Sequence, residues 1–255
     1  MMIHTTLAQL RELKLTGAAL ALQEQLAQPA MAAMPFEDRL ALLVDREIAH
    51  RQNTRQQRLL KQARLRYAQA SIEDLDARPA RGLQRNAILS LAMGNWVQTG
   101  HCILISGPTG AGKSWLACAL AQYACRQGLS AHYQRVPRLQ EELALRHGSG
   151  AFGKWLVQLA KTDVLVLDDW GMGALDAATR SDLLEIIDDR VAGRATIIAS
   201  QLPIEHWHAW IGDATLADAI LDRIMQRHHR IELSGESMRK IQPKNQPGGQ
   251  NSNPS

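Results

Sequence analysis

Cysteine is scarce in this chain of 255 residues: Cys102, Cys118 and Cys125 are the only ones, set in apolar or helical surroundings without CxxC spacing. That pattern argues against a disulfide framework or a cysteine metal site and points to buried thiols in a reducing compartment. Long hydrophobic runs are also missing. No apolar stretch approaches the length needed to span a bilayer, and Arg11, Glu12 and Lys14 interrupt the leucines near the N-terminus. A cytoplasmic protein without a membrane partner is expected. There is no internal repeat, and the stretch from Pro243 to Ser255 has no large apolar residue, so it is expected to be disordered.

What is present suits a globular protein. A hydrophobic content of 45% and a length of 255 residues allow one α/β domain with a sizeable core plus a smaller appendage. Charge is unevenly spread. Residues 1 to 90 hold 13 Lys/Arg against 9 Asp/Glu and residues 91 to 255 hold 16 against 16, so the whole excess of +4 lies in the first third. The two parts are expected to face different partners.

Residues 5 to 28 carry leucines at helical spacing, broken near Thr16-Gly17 and stopped by Pro29, which predicts a helical hairpin. A second helix is expected from Pro35, with Glu37 and Asp38 in its first turn, to about Tyr67. Its first half is amphipathic through Leu40, Leu43, Val44 and Ile48, but His50 to Arg58 contains no large apolar residue. Ser71-Ile-Glu-Asp74 reads as a capping-box variant opening a short helix, and Arg81 to Met93 as another helical stretch. A linker is therefore expected near 68 to 80. Strands are expected at 101–106, 130–136, 163–167, 195–200 and 229–233. Helices are expected at 113–127, 137–147, 152–161, 176–192 and 214–227. This alternation predicts a mostly parallel sheet with helices on both faces, preceded by a small all-helical N-terminal domain. The expected division is 1–70 helical, 71–240 α/β and 241–255 tail.

The segment Gly107, Pro108, Thr109, Gly110, Ala111, Gly112, Lys113 and Ser114 fits G-x-x-x-x-G-K-[ST], preceded by a strand pattern and followed by a helical one. Triphosphate binding requires backbone N–H groups that converge on anionic oxygens, and glycines supply the dihedral freedom and the missing side chains. In such a loop Lys113 reaches the β- and γ-phosphates, Ser114 ligates Mg²⁺, and the next helix, entered at Trp115, adds its dipole. ATP and Mg²⁺ are the expected cofactors.

Phosphoryl transfer also needs a carboxylate at the end of an apolar strand, which Val164-Leu-Val-Leu-Asp-Asp169 supplies. Asp168 is expected to hold the Mg²⁺ shell and Asp169 to position or activate the attacking water. Gln201, at the end of the apolar run Thr196 to Ser200, is the candidate γ-phosphate sensor. Arg223 is expected to stabilise transition-state charge on a neighbouring subunit, and Arg239 to reach the γ-phosphate of its own.

The basic run Arg46, Arg51, Arg55, Arg58, Lys61, Arg64 and Arg66 faces Glu47 alone within its length, and it is interleaved with Gln and Asn but with no aromatic residue below Tyr67. Without aromatics to stack on bases, such a helix offers phosphate contacts, with weak sequence preference and steep salt dependence. DNA is the expected partner.

Together the P-loop, L-D-D-W-G, S-Q-L-P, I-L-D-R-I and G-E-S-M-R elements resemble those of the AAA+ ATPases of the IstB/DnaC group. The basic segment Arg46 to Arg64 and the G-E-S-M-R ending resemble the IstB family more than DnaC. The resemblance covers roughly residues 5 to 240. It implies an ATPase that forms a homo-oligomer on duplex DNA, remodels that DNA and recruits or stimulates a transposase. A helicase loader preferring single strands is the alternative from another class, and an ATP-controlled binding module with negligible turnover is a third. The family plan is shortened in one respect: about 40 residues separate Gln201 from the tail, too few for a full helical lid.

Overall fold

The computed structural model describes residues 2–75, 82–191 and 193–235. These divide into two compact units, one running through Gln62 and taking in Cys125–Leu129, the other comprising Ala63–Ala124 and the chain from Ser130 onward.

The first unit is helical. Helix α1 (Met2–Glu12) and helix α2 (Thr16–Ala27) form the expected hairpin, followed by a 3₁₀ turn at Pro29–Ala33 and helix α3 (Phe36–Ala63). The hairpin breaks at Lys14, not at Thr16-Gly17. Lys14 takes φ 59°, its N–H bonds to Arg11 O at 2.9 Å, and the Leu15 N–H bonds to Leu10 O at 2.8 Å, closing α1 in a Schellman motif. Gly17 instead lies in the first turn of α2 facing α3, where a Cβ would stand 2.6 Å from Arg46 O. Buried Glu47 accepts the Ala18 N–H at 3.1 Å, so a side chain of α3 caps the start of α2. A hydrogen bond from Arg51 holds the Glu47 carboxyl below its usual pKa against the opposing effect of burial, with the α2 backbone N–H groups assisting.

Helix α3 starts as expected, with Pro35 ahead of it, but stops at Ala63, short of Tyr67. Arg64 adopts φ 52°, a left-handed turn that ends the helix where the second unit begins. The sequence has no glycine there to announce it.

The second unit is built on five parallel strands: β1 (Cys102–Ser106), β2 (Ala131–Arg135), β3 (Val164–Trp170), β4 (Ala195–Ser200) and β5 (His228–Glu232). Their order is β2-β3-β4-β1-β5. Parallel neighbours need crossovers, which are supplied by α5 (Lys113–Arg126), α6 (Val136–Gly148) with α7 (Phe152–Lys161), α8 (Ala177–Val191) and α10 (Ala214–Met225). A further helix, α4 (Arg85–Met93), precedes β1. Arg81, the expected start of that helix, lies outside the described residues. Ile72–Asp74 forms one 3₁₀ turn, and the Ser71 hydroxyl bonds the Glu73 carboxylate instead of capping the backbone.

Strands covered on both faces should be almost wholly apolar, as β1, β3 and β4 are. One face carries Leu104, Leu165, Leu167 and Ile198 packed with Leu139, Leu156, Leu183, Ile187 and Ile220 of the helices. The period of two turns Ile103, Ile105, Val166 and Ile197 to the other face, where they too are fully buried.

Two features were not legible. Helix α9 (Trp207–Ile211) follows a 3₁₀ turn at Ile204–His206, and the ring of its fully buried Trp207 meets that of Trp170 in a tilted contact at 5.5 Å. Arg190 on α8 is buried and donates to the carbonyls of Leu159, Thr162 and Ala195 and to Thr196 Oγ1, tying the end of α7 to the start of β4. Burial pushes its pKa down to about 9.

Candidate nucleotide site

The P-loop, the β3 carboxylates and Gln201, all expected to handle the triphosphate, meet at the C-terminal edge of the sheet. The loop leaving β1 takes φ 144° at Gly107, 83° at Gly110 and 97° at Gly112, values that an L side chain rarely tolerates. The two ends of the loop need glycine for different reasons. A Cβ on Gly107 would lie 2.3 Å from Leu233 O, whereas one on Gly112 would meet nothing within 4 Å and would project into open space. That open space beside the first turn of α5 is the cradle the motif requires.

Lys113 is only 7% exposed, and its Nζ donates to Gly107 O and Pro108 O, both at 2.8 Å. Burial lowers its pKa, while Asp168 and Asp169 act in the opposite sense. Ser114 Oγ donates to Asp168 Oδ1 at 2.9 Å, joining α5 to β3. Pro108 and Thr109 are exposed, Ala111 is buried, and Trp115 is half-buried on α5. Thr109 Oγ1 donates to Gln201 Oε1 at 2.6 Å, which brings the end of β4 onto the loop.

Strand β3 runs past its expected end at residue 167 and carries an irregularity. Leu167 pairs with Ile198 but Trp170 pairs with Ser200, so three residues of β3 span two of β4. This bulge, with Asp169 at φ 58°, re-aims the carboxylate out of the alternating pleat. Asp169 is held by Arg135 of β2, whose Nε and Nη2 each lie 2.8 Å from Oδ2. Asp168 is 1% exposed, and its second oxygen accepts the Tyr133 hydroxyl at 2.5 Å. Burial and this hydrogen bond raise the Tyr133 pKa, so the phenol stays protonated.

Tyr133 and Arg135 were missed as site residues. Their signal was present: they stand two apart at the end of a strand, hence on one face, and Arg135 pairs in register with Asp168. Reading it required knowing that β2 neighbours β3.

Arg223 is not brought to this edge. It pairs with Asp188, donates to Ala219 O at 2.9 Å, and lines a cavity with Cys102, Arg190 and Thr196 at the start of the strands. That is the opposite end of β1 from the P-loop. Arg239 lies outside the described residues. Of the basic run, Arg46, Arg51, Arg55, Arg58 and Lys61 are exposed on α3. Arg46 pairs with Glu24 at 3.1 Å, Arg51 with Glu47 at 2.6 Å, and Arg55 donates to Gly128 O at 3.0 Å. Arg64 and Arg66 belong to the second unit, and the Arg66 guanidinium lies 3.8 Å from Asp168 Oδ2.

Among the described residues no group of three or more His, Cys, Asp or Glu could hold a metal ion by itself. Ser114 Oγ and Asp168 Oδ1 are hard oxygen donors that suit Mg²⁺, which commonly completes its shell with phosphate and water. No described helix is long and apolar enough to cross a membrane.

Strand order and loop define the second unit as a P-loop core built on a five-stranded parallel sheet. The crystal structure of the DnaC helicase loader aligns with a TM-score of 0.57 at 20% identity, over 66% of this chain and 99% of that one, a likeness of fold alone. The family follows from sequence. The family described as IstB-like ATP binding protein matches residues 8–246, and the chain belongs to it. A Pseudomonas fluorescens protein named for ATP binding in insertion sequence IS1162 is 55% identical over 203 residues, 80% of this chain and 88% of that protein. A Sinorhizobium fredii protein, likewise named for ATP binding in an insertion sequence, is 45% identical over 95% of this chain and 98% of its own length.

Proposed function

We propose that this chain is an Mg²⁺-dependent ATPase that assembles as a homo-oligomer on duplex DNA in the cytoplasm, remodels that DNA, and recruits or stimulates a transposase. The observation that carries the nucleotide half is the Ser114–Asp168 hydrogen bond, which sets two Mg²⁺ donors beside the P-loop lysine. When bound, Mg²⁺ would polarise the phosphoryl oxygens. The chain's own groups do the rest. Lys113 exchanges two loop carbonyls for phosphate oxygens, Asp169 orients the attacking water, and Gln201, already on the loop through Thr109, follows the γ-phosphate.

The position of Arg223 supports assembly. It lies at the far end of β1 from its own P-loop, a place from which it would act on the nucleotide of a neighbouring copy and not on its own. The DNA half rests on the exposed basic length of α3. The insertion-sequence names of the relatives support a transposase as the partner.

A salt-dependent gel shift comparing duplex with single-stranded DNA, with and without ATP, tests the reading. ATP-enhanced duplex binding is expected. Tighter binding to single strands would favour a helicase loader instead, and unchanged ATP turnover in Lys113→Ala would remove the catalytic assignment. Mixing Arg223→Ala with Lys113→Ala protomers should restore turnover above either mutant alone.

A further inference from the structure

Arg66 reads in the sequence as one more phosphate-contacting cation, yet the structure turns it to the hydrolytic carboxylates. The chain leaves α3 at Ala63, turns left-handed at Arg64 and buries Leu65. The backbone of Arg66 and Tyr67 lies beside the Cys118 sulfur on α5, the helix that also carries Lys113 and Ser114. The Arg66 side chain, 35% exposed, lies over the Tyr67 ring at 5.5 Å and beside the Tyr133 hydroxyl. Its Nη1 stands 3.8 Å from Asp168 Oδ2 and 3.9 Å from Asp169 Oδ2.

Which oxygen it faces decides its role. Asp168 Oδ1 points to Ser114 and the P-loop, whereas Arg66 and Tyr133 share the Oδ2 side. Arg66 therefore acts on the carboxylate from behind, not on the phosphates. We propose that Arg66 competes electrostatically with Mg²⁺ for Asp168 and Asp169, so that metal–nucleotide loading is linked to the position of the segment that follows α3. A cation near 4 Å from a carboxylate lowers the affinity of that carboxylate for a second cation. By reciprocity, whatever draws the segment away strengthens metal binding, and metal binding loosens the segment. DNA engaged by α3, three residues upstream, is such an influence. The inference rests on the reading of this site as one for Mg²⁺–ATP.

The test is the Mg²⁺ concentration that half-saturates binding of a fluorescent ATP analogue, for wild type, Arg66→Gln and Arg66→Lys, each with and without duplex DNA. Gln keeps a donor for Tyr133 and removes only the charge, and a thermal melt checks the fold. Half-saturating Mg²⁺ should fall about threefold to tenfold in Arg66→Gln and stay near wild type in Arg66→Lys. DNA should lower the requirement in wild type and not in Arg66→Gln. An unchanged or higher Mg²⁺ requirement in Arg66→Gln, or a DNA effect that survives in it, overturns the inference. Absence of analogue binding in wild type, or equal binding by Lys113→Ala, overturns the functional reading instead.

Discussion

Arg135 grips Asp169 through two nitrogens on one oxygen, each at 2.8 Å, so the carboxylate that should meet water is tied to the neighbouring strand. The bulge in β3 gives Asp169 its direction and Arg135 fixes it there. Asp169→Asn should retain ATP affinity and lose about a hundredfold in turnover, the scale of a positioned general base. Arg135→Ala should release the carboxylate and raise basal turnover about twofold to fivefold. Steady-state hydrolysis beside equilibrium nucleotide binding checks both. Wild-type turnover in Asp169→Asn would remove its role, and a collapse in Arg135→Ala would show that the grip is the productive geometry.

The glycines of the loop should separate folding from binding. Gly107→Ala meets Leu233 O at 2.3 Å, a backbone atom that cannot swing aside. Gly112→Ala meets nothing within 4 Å and carries only the strain of φ 97°, on the order of 1–2 kcal/mol. Thermal melts should therefore show severe destabilisation for Gly107→Ala and a modest loss for Gly112→Ala. Fluorescent-nucleotide binding should be lost in Gly112→Ala even where the protein is folded. Retained affinity would mean that phosphates do not approach this residue.

Alkaline pH should weaken the fold through the thiols of Cys118, which is buried, and Cys102, which is half-buried. Burial pushes Cys102 and Cys118 from the ordinary 9.0 up to about 11. A folded pKa above the unfolded one gives stability that is complete below pH 9.0 and is lost as pH rises to about 11. Each thiol contributes on the order of 2 kcal/mol to that loss. Denaturant unfolding across this range should give a shallower pH slope for Cys118→Ala than for wild type. Equal slopes, or fast alkylation of the native protein at neutral pH, would contradict the burial argument.

Much of this architecture was legible because its signals are local. Glycine spacing, apolar strands and carboxylates at a strand end located the P-loop, the sheet and Asp168 from sequence. Tyr133 and Arg135 escaped because their meaning depends on strand order, which no single segment encodes. Helix α9 escaped because its five residues, with Trp210 and Ile211 at helical spacing from Trp207, make little more than one turn. Arg66 reads as part of the basic run because charge along a sequence does not show where the helix ends. A left-handed arginine at 64 carries no compositional mark, yet it moves the next cation from a solvated helix to the back of Asp168.

That left-handed turn divides the basic run into residues that should and should not sense salt on DNA. Arg58 and Lys61 are exposed on α3, while Arg46, Arg51 and Arg55 already have partners in Glu24, Glu47 and Gly128 O. Each phosphate contact contributes about 0.9 to the slope of log affinity against log salt on duplex DNA. The double variant Arg58→Ala/Lys61→Ala should therefore lower that slope by roughly 2. Arg46→Ala should change it less, because a cation shared with Glu24 releases fewer counterions. Nucleotide-free Arg66→Gln should leave it unaltered, since that side chain faces carboxylates. Fluorescence anisotropy with one duplex across a salt series measures all four proteins. A full slope in the double variant would remove α3 from the DNA interface, and a lowered slope in Arg66→Gln would return Arg66 to it.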